Sequence, residues 1–273
     1  MARPSFDFRD RVVVVTGAAQ GIGRTLADRF AAVGAAVVVA DHDGAGAEAA
    51  GAEENGEGGS AAGFAVDVTD VDRVQELVAF TDGTYGGLDV LVNNAGISTT
   101  AIIEETDPQD WRRVVDVNLT GPFLTSRAAL PALRARGGGA MVNVASVAGR
   151  RISYNASAAY TAAKGGLLAF TRHLAYEAAP DGITVNAVCP GPVTSPMLLR
   201  TASEETMRAR VASVPAGRLT TPDDQADAVL FLASPAASMI NGVALDVDGG
   251  ALLGWYDVAT YFERRGATRT EQT

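Results

Sequence analysis

The sequence is poor in cysteine and in clusters of positive charge, and both absences narrow its function. Cys189 is the only cysteine among 273 residues, so no disulfide can form within the chain and a cysteine-based metal site is disfavoured. No run of Lys or Arg occurs, and the net charge of −10 argues against nucleic acid or an anionic membrane as a partner. We therefore expect no metal, no nucleic acid and no membrane among its ligands.

Long apolar runs are also missing. The uncharged stretch 228–245 contains Ser, Pro, Asn and Gly, which predicts a helix, a turn and a strand instead of a membrane span. The first ten residues, MARPSFDFRD, include acidic side chains and no apolar segment, so they do not resemble a secretory signal. These features predict a cytoplasmic location.

The sequence is rich in Gly, Ala and Val, which form short apolar runs alternating with segments of helical spacing. RVVVVTG (11–17) and AAVVVAD (35–41) are typical of buried parallel strands, and RTLADRFAAVG (24–34) has helical spacing. Further strands are predicted near 63–66, 88–92, 139–145, 183–188 and 243–247. Residues 43–63 predict a weak surface helix and a loop, whereas Asp107-Pro108 is a helix start signal, as is Thr221-Pro222.

This alternation predicts an α/β fold. Its expected form is one doubly wound parallel sheet of about seven strands, with helices on both faces. In such a sheet the ligand site lies beyond the carboxyl ends of the strands.

Residues suited to a nucleotide stand at these strand ends. TGAAQGIG (16–23) follows the first strand; its glycines let the backbone approach a diphosphate at a helix N-terminus, although an ordinary tight turn has the same composition. Asp41 ends the second strand, where a carboxylate can bind both ribose hydroxyls and repel a 2′-phosphate, or simply cap a helix. DV (67–68) and NNAG (93–96) end the third and fourth strands, and suit a cofactor that crosses the sheet edge.

Together these stretches resemble the short-chain dehydrogenase/reductase family over residues 6 to about 250. The matching motifs are TGAAQGIG (16–23), DV (67–68), NNAG (93–96), VNLTG (117–121), VNVAS (142–146), YTAAK (160–164), NAVCPGPV (186–193) and DGG (248–250). The resemblance implies a Rossmann-fold dehydrogenase domain over residues 1–250, a lid at about 194–215 and a C-terminal extension at 251–273. It also implies an NAD-dependent oxidoreductase that acts on a small-molecule secondary alcohol or ketone, and a homotetramer.

The resemblance assigns a catalytic tetrad of Asn118, Ser146, Tyr160 and Lys164. In AAYTAAKGG, Tyr160 and Lys164 are one helical turn apart, so a phenol and an ammonium would share a face. Tyrosine is a poor base at neutral pH, and both Lys164 and an oxidised nicotinamide would favour its phenolate. Ser146 would hydrogen-bond the substrate oxygen, and Asn118 resembles the family residue that holds a water in a proton relay to the lysine. Taken singly, each residue could instead pack, cap an element or lie in solvent.

The resemblance also implies the ligand contacts. The implied cofactor-binding residues are Gly17, Gln20, Gly21, Ile22, Gly23, Asp41, Asp67, Val68, Asn94, Ala95, Gly96, Tyr160, Lys164, Pro190, Gly191, Val193 and Ser195. The loop between Ser146 and Tyr160 is one residue longer than the family leads us to expect, so it is predicted to reach the substrate. The predicted substrate residues are Ser98, Arg151, Tyr154, Asn155 and Met197.

Several alternatives for the function stay open, among them a sugar or cyclic-polyol dehydrogenase. The lid, with Met197, Leu198 and Leu199 predicted to face inward, favours a partly apolar alcohol or ketone, but its length and AGRLTTPDD (216–224) also resemble 3-oxoacyl-thioester reductases. An NAD-binding regulator without chemistry is the alternative from another class, and the intact tetrad argues against it.

The extension divides into two parts. ALLGWYDVATYF (251–262) is too apolar to remain solvated, and it could pack on its own subunit or against a partner chain near its lid. ERRGATRTEQT (263–273) is polar and is expected to fray.

Overall fold

A computed structural model describes residues 6–56, 59–153, 155–194, 203–254 and 257–266 of the chain. Its strands are β1 Val12–Thr16, β2 Ala36–Asp41, β3 Ser60–Ala65, β4 Val90–Asn93, β5 Gly139–Val144, β6 Ile183–Pro190 and β7 Ala244–Val247. They form one parallel sheet in the order β3-β2-β1-β4-β5-β6-β7, as the strand–helix alternation predicts. The order reverses between β1 and β4, so the carboxyl ends of these two strands open a crevice.

Helices cover both faces of the sheet. They are α1 Gly21–Ala32, α2 Gly44–Gly56, α3 Val71–Tyr85, α4 Pro108–Val115, α5 Gly121–Ala135, α6 Ala158–Ala178, α7 Glu204–Ala212, α8 Pro222–Ala233 and α9 Val258–Arg264. Val13 and Val15 of β1 pack in the core that contains residues of α1 and α8, whereas Val14 packs in the core of α3, α5 and α6. Because successive side chains of a strand point to opposite faces, a strand buried on both faces must be apolar throughout. None of the described helices is long and apolar enough to cross a membrane.

Both helix start signals in the sequence are confirmed. The Asp107 side chain accepts a hydrogen bond from Gln109 N at 2.7 Å, with Pro108 as the first residue of α4. Thr221 and Asp224 form a reciprocal capping box at the start of α8. These caps satisfy backbone amides that the first turn of a helix would otherwise leave unpaired.

The prediction for residues 43–63 was wrong in two respects. Ala47 and Ala50 of α2 are fully buried, so this helix packs on the sheet instead of lying weakly at the surface. In addition, β3 begins at Ser60, inside the predicted loop. A Cβ at Gly63 would lie 2.5 Å from Ala47 O, so small residues let helix and strand approach closely. A pattern based on large apolar side chains does not detect this kind of contact.

The extension contains one described helix. α9 begins after Asp257, whose Oδ1 accepts from Thr260 N at 2.9 Å, and it continues through Arg264. The predicted fraying from residue 263 is therefore wrong for the start of that segment. Residues 267–273, together with Trp255 and Tyr256, lie outside the described residues.

Candidate active site

The crevice between β1 and β4 begins at the glycine turn. Gly17 has a φ of +64°, and a Cβ on Gly23 would lie only 2.1 Å from Gly17 O. The Asn94 side chain donates to the carbonyl oxygens of Thr16 and Gly17, both at 2.9 Å. The end of β4 thus holds the turn in place, and only glycine fits at these two positions. This is the close backbone approach that a diphosphate at the start of α1 requires.

Carboxylates follow β2 and β3. Asp41 Oδ2 accepts from Ala19 N and Asp41 Oδ1 accepts from Asp43 N, both at 2.9 Å. Asp41 therefore holds two loop amides in place and does not cap a helix, and each of its oxygens keeps a further lone pair for a ligand. Asp67 accepts from the backbone and hydroxyl of Thr69, and these bonds lower the pKa of Asp67.

A cavity of about 750 Å³, the cofactor cavity, runs from the glycine turn along the strand ends. The predicted cofactor residues that line it are Gly17, Gln20, Ile22, Gly23, Asp41, Asp67, Val68, Asn94, Ala95 and Gly96. Three residues of α4 that the sequence does not predict also line it: Gln109, Arg112 and Arg113. No sequence motif predicts their position, because a long segment separates β4 from α4 and its path decides whether α4 reaches the crevice.

A second cavity of about 1170 Å³, the substrate cavity, is lined by Ser146 and Tyr160. The predicted residues that line it are Ser98, Ser146, Arg151, Asn155, Tyr160, Pro190, Gly191 and Val193. Tyr154, Ser195 and Met197 lie outside the described residues, as do Leu198 and Leu199. Gly21, Asn118 and Lys164 line neither cavity: Gly21 is exposed at the start of α1, and the other two are buried.

The described part of the lid is polar where it lines the substrate cavity. α7 lines the substrate cavity with polar side chains, among them Glu205, Thr206 and Arg210. An apolar lid was expected from residues 197–199, and those residues are outside the described chain. The spacing of apolar residues in the sequence did not indicate which face of α7 lines the substrate cavity.

Ser146 and Tyr160 face each other in the substrate cavity. Ser146 follows β5, and its hydroxyl accepts from Ala148 N at 3.0 Å, so it caps a short 3-10 turn as well as facing the cavity. Burial raises the pKa of the Tyr160 phenol above 10, and a hydrogen bond with the Ser146 side chain opposes that rise. The phenol of the chain alone is therefore protonated at neutral pH.

Lys164 lies one turn further along α6 and is the only lysine in the sequence. It is 4% exposed, and its Nζ donates to Val144 O at 2.8 Å. Burial lowers the pKa of Lys164 to about 8. Nζ lies 5.6 Å from the centroid of the Tyr160 ring. Burial is the largest influence on the Tyr160 pKa in the chain alone. The lowering predicted from Lys164 together with an oxidised nicotinamide stays a prediction.

Asn118 lies in a π-helical turn, Asp116–Thr120, between α4 and α5. Its Nδ2 donates to Ile97 O at 2.7 Å and to Val114 O at 2.9 Å. Among the described residues its Oδ1 is buried without a hydrogen-bond partner. A Cβ on Gly96 would lie 2.8 Å from this oxygen and 3.5 Å from Lys164 Nζ, so both atoms border the same small space. An unsatisfied buried acceptor beside an ammonium suits a proton-carrying water.

These observations fit a dinucleotide. The glycine turn has no room for a Cβ, carboxylates lie at the ends of β2 and β3, and consecutive residues of segment 96–98 line the cofactor cavity and then the substrate cavity. Within the described ranges no group of three or more His, Cys, Asp or Glu is placed to hold a metal ion.

Comparison with known proteins identifies the family. Residues 17–251 match the profile of a family described as enoyl-(acyl carrier protein) reductase. The chain is 40% identical to 2-(S)-hydroxypropyl-CoM dehydrogenase 3 of Xanthobacter autotrophicus, over 89% of this chain and 96% of that protein. It is 43% identical to cis-4-hydroxycyclohexanecarboxylate dehydrogenase of Sinomonas cyclohexanicum, over 89% and 97%.

A solved structure agrees with these relatives. The crystal structure of gox2181 matches with a TM-score of 0.86 at 34% identity, covering 91% of this chain and 98% of that one. The likeness to these proteins in sequence and in fold thus extends over nearly the whole chain. The protein is an oxidoreductase that belongs to the short-chain dehydrogenase/reductase family.

Proposed function

We propose that this oxidoreductase transfers a hydride between NAD(H) and a secondary alcohol or ketone, with Tyr160 as the acid/base residue. The observation that carries this proposal is the pairing of Tyr160 with Ser146 in the substrate cavity, with Lys164 buried one turn behind the tyrosine. A protein that only sensed the cofactor would need neither the phenol nor the buried ammonium. The names of the relatives, which are dehydrogenases of hydroxy compounds, support the same reaction class.

The chain's residues have distinct roles in this proposal. The nicotinamide, when bound, would accept or supply the hydride and carry positive charge in its oxidised form. Ser146 donates a hydrogen bond to the substrate oxygen, and Tyr160 exchanges the proton of that oxygen. Because burial keeps the phenol protonated, the chain alone is ready to donate a proton to a ketone. Lys164 and Asn118 border the space through which that proton is replaced.

A panel of secondary alcohols with NAD, and of ketones with NADH, tests the reaction through the absorbance of the reduced nicotinamide. Turnover of simple alcohols supports the proposal. Activity restricted to a 3-oxoacyl thioester in the panel would favour the thioester-reductase alternative. Cofactor binding without turnover of any member would favour the regulator and contradict the proposal.

We expect a preference for NAD over NADP of about a hundredfold in kcat/KM. Asp41 would face the 2′-phosphate, and placing two like charges together costs a few kcal/mol. Replacing Asp41 with Ala should narrow the preference for NAD by about tenfold or more. The carboxylate is then removed, whereas the positive charges of Arg112 and Arg113 remain in the same cavity. The control is Asp43→Ala, because Asp43 caps α2 through Gly46 N and does not line the cavity. Equal efficiency with both cofactors in the unmodified protein would contradict this prediction.

We also propose that the protein is a homotetramer in which residues 251–273, an extension of the 1–250 dehydrogenase domain, contact a partner chain. Leu253 is 86% exposed and Tyr261 is 49% exposed, which is costly for large apolar side chains beside a cavity. A chain ending at Gly254 should assemble less or bind substrate more weakly before it loses NAD binding. Unchanged mass by light scattering and unchanged kinetic constants would show that the extension has neither role.

A further inference from the structure

The arginines of the described chain differ in their partners. Those in ion pairs with carboxylates are Arg9, Arg11, Arg24, Arg29, Arg73, Arg134, Arg136, Arg150 and Arg218, and they line neither of the two cavities. Arg151 and Arg210 line the substrate cavity, and neither is within 4.0 Å of a carboxylate oxygen of any described residue. Acidic residues outnumber basic ones by 32 to 22, so carboxylates are not scarce in this chain. The cavity arginines thus keep their charge available.

The contrast is sharpest between two adjacent residues. Arg150 donates to Asp246 at 2.6 Å and to Ala244 O at 2.5 Å, which ties it to β7. The Arg151 guanidinium donates to Ala251 O at 3.2 Å, and this is its one side-chain hydrogen bond within the described chain. A guanidinium has five N–H donors, so most of those on Arg151 remain available. Because Ala251 O is a neutral acceptor, this bond leaves the charge of the Arg151 guanidinium unbalanced.

Arg210 approaches the same cavity from α7. It is half-buried and lines the cavity, whereas Arg208 on the same helix is exposed and does not. The cavity also has two carboxylates, Glu205 and Asp257. Asp257 accepts from the backbone and hydroxyl of Thr260, and Glu205 is exposed. Among the described residues, neither carboxylate forms an ion pair with Arg151 or Arg210.

We propose that the natural substrate carries an oxyanion, a carboxylate or a sulfonate, which binds to Arg151 and Arg210 while its carbinol faces Ser146 and Tyr160. This inference rests on the proposed alcohol–ketone reaction. A planar guanidinium forms two parallel hydrogen bonds to such a group, which are stronger than neutral ones and fix orientation. Arg151 follows Ser146 by five residues, so one loop would position both ends of the substrate.

The turnover test uses hydroxy acids in which the distance between carboxylate and carbinol grows by one methylene at a time. Each acid is paired with its methyl ester, and the matching hydroxysulfonates distinguish the two oxyanions. For the best acid we expect kcat/KM to exceed that of its ester at least tenfold. Arg151→Gln and Arg210→Gln should each reduce this ratio about tenfold, and Arg208→Gln should not. Equal efficiency for acid and ester, or a ratio that neither cavity variant changes, would overturn the proposal.

A binding test separates this proposal from the reaction itself. Hexanoate, hexanesulfonate and neutral hexanamide are titrated calorimetrically into the protein saturated with NAD. One anion should bind at least tenfold more tightly than hexanamide, and Arg151→Gln should remove most of that difference. If the anions bind in this way but no hydroxy acid is oxidised, the anion site stands and the proposed reaction fails. If neither anion binds more tightly than hexanamide, the anion site is overturned whether or not alcohols react.

Discussion

Replacing Tyr160 with Phe is expected to lower kcat for alcohol oxidation by about a thousandfold or more. Phenylalanine keeps the ring that packs in the cavity and removes only the hydroxyl beside Ser146. Because that hydroxyl would act on the reacting oxygen and not on the nucleotide, the Kd for NAD should change by no more than about twofold. Steady-state kinetics and a calorimetric titration with NAD measure the two effects separately.

The control for this prediction is on the same helix. Tyr176 of α6 is 86% exposed, so Tyr176→Phe removes a phenol without reaching either cavity and should leave kcat unchanged. If Tyr160→Phe retains a tenth of the activity, the assignment of Tyr160 as the acid/base residue is wrong.

Replacing Lys164 with Met should have two opposite effects, a large loss of activity and a gain in stability. The variant loses the charge beside Tyr160 and Asn118, so kcat should fall at least about a hundredfold, and NAD should bind more weakly. The folded chain, however, no longer buries an ammonium. Burial lowers the pKa of Lys164 from 10.5 to about 8, which corresponds to about 3 kcal/mol of unfolding free energy. Loss of the hydrogen bond to Val144 O offsets part of this, leaving a net gain of about 1–2 kcal/mol.

The sign of this effect fixes its pH dependence. The unfolded chain holds the Lys164 proton up to pH 10.5, and the folded chain releases it near pH 8. Protonation therefore favours the unfolded state, so the gain from Lys164→Met is complete below pH 8 and shrinks as the pH rises toward 10.5. Urea unfolding at pH 7 and pH 10, without cofactor, measures this change. Lys164→Arg keeps the charge and should show no gain; a less stable Lys164→Met at pH 7 would contradict the prediction.

The sequence predicted the sheet well because its strands are buried on both faces. A strand such as β1 has no polar position to interrupt its apolar run, and helices such as α4 and α8 begin with a recognisable cap. The helix α2 was misjudged since its buried contacts are made by alanine and glycine, whose hydropathy is weak. Hydrophobic patterning detects large apolar side chains, whereas the contact between α2 and β3 requires small ones.

The candidate site was predictable where the chain itself brings residues together. Local sequence was enough to place the glycine turn and Asp41, which lie at strand ends. It was also enough for Tyr160 and Lys164, which lie one helical turn apart. Arg113 and Arg210 were missed because long connecting segments bring them to the cavities, and no local spacing reports that path. The high pKa of Tyr160 was likewise not predictable, since it depends on burial by residues distant in sequence.

Because of the π-helical turn at Asp116–Thr120, the number of residues between Pro108 and Ala135 matters for the orientation of α4 and α5 as much as their composition does. One residue of a helix advances about 100° around the axis, so the extra residue in this turn shifts the phase of everything that follows. A deletion of one residue here would let the two helices merge into a regular one. The same deletion would rotate one of the two helices. Either α4 would turn its present face away from the cofactor cavity, or α5 would turn its apolar face away from the core. The position of Asn118 thus depends on one extra residue in the helix. An alignment that matched these helices to a regular helix without a gap would not show that residue.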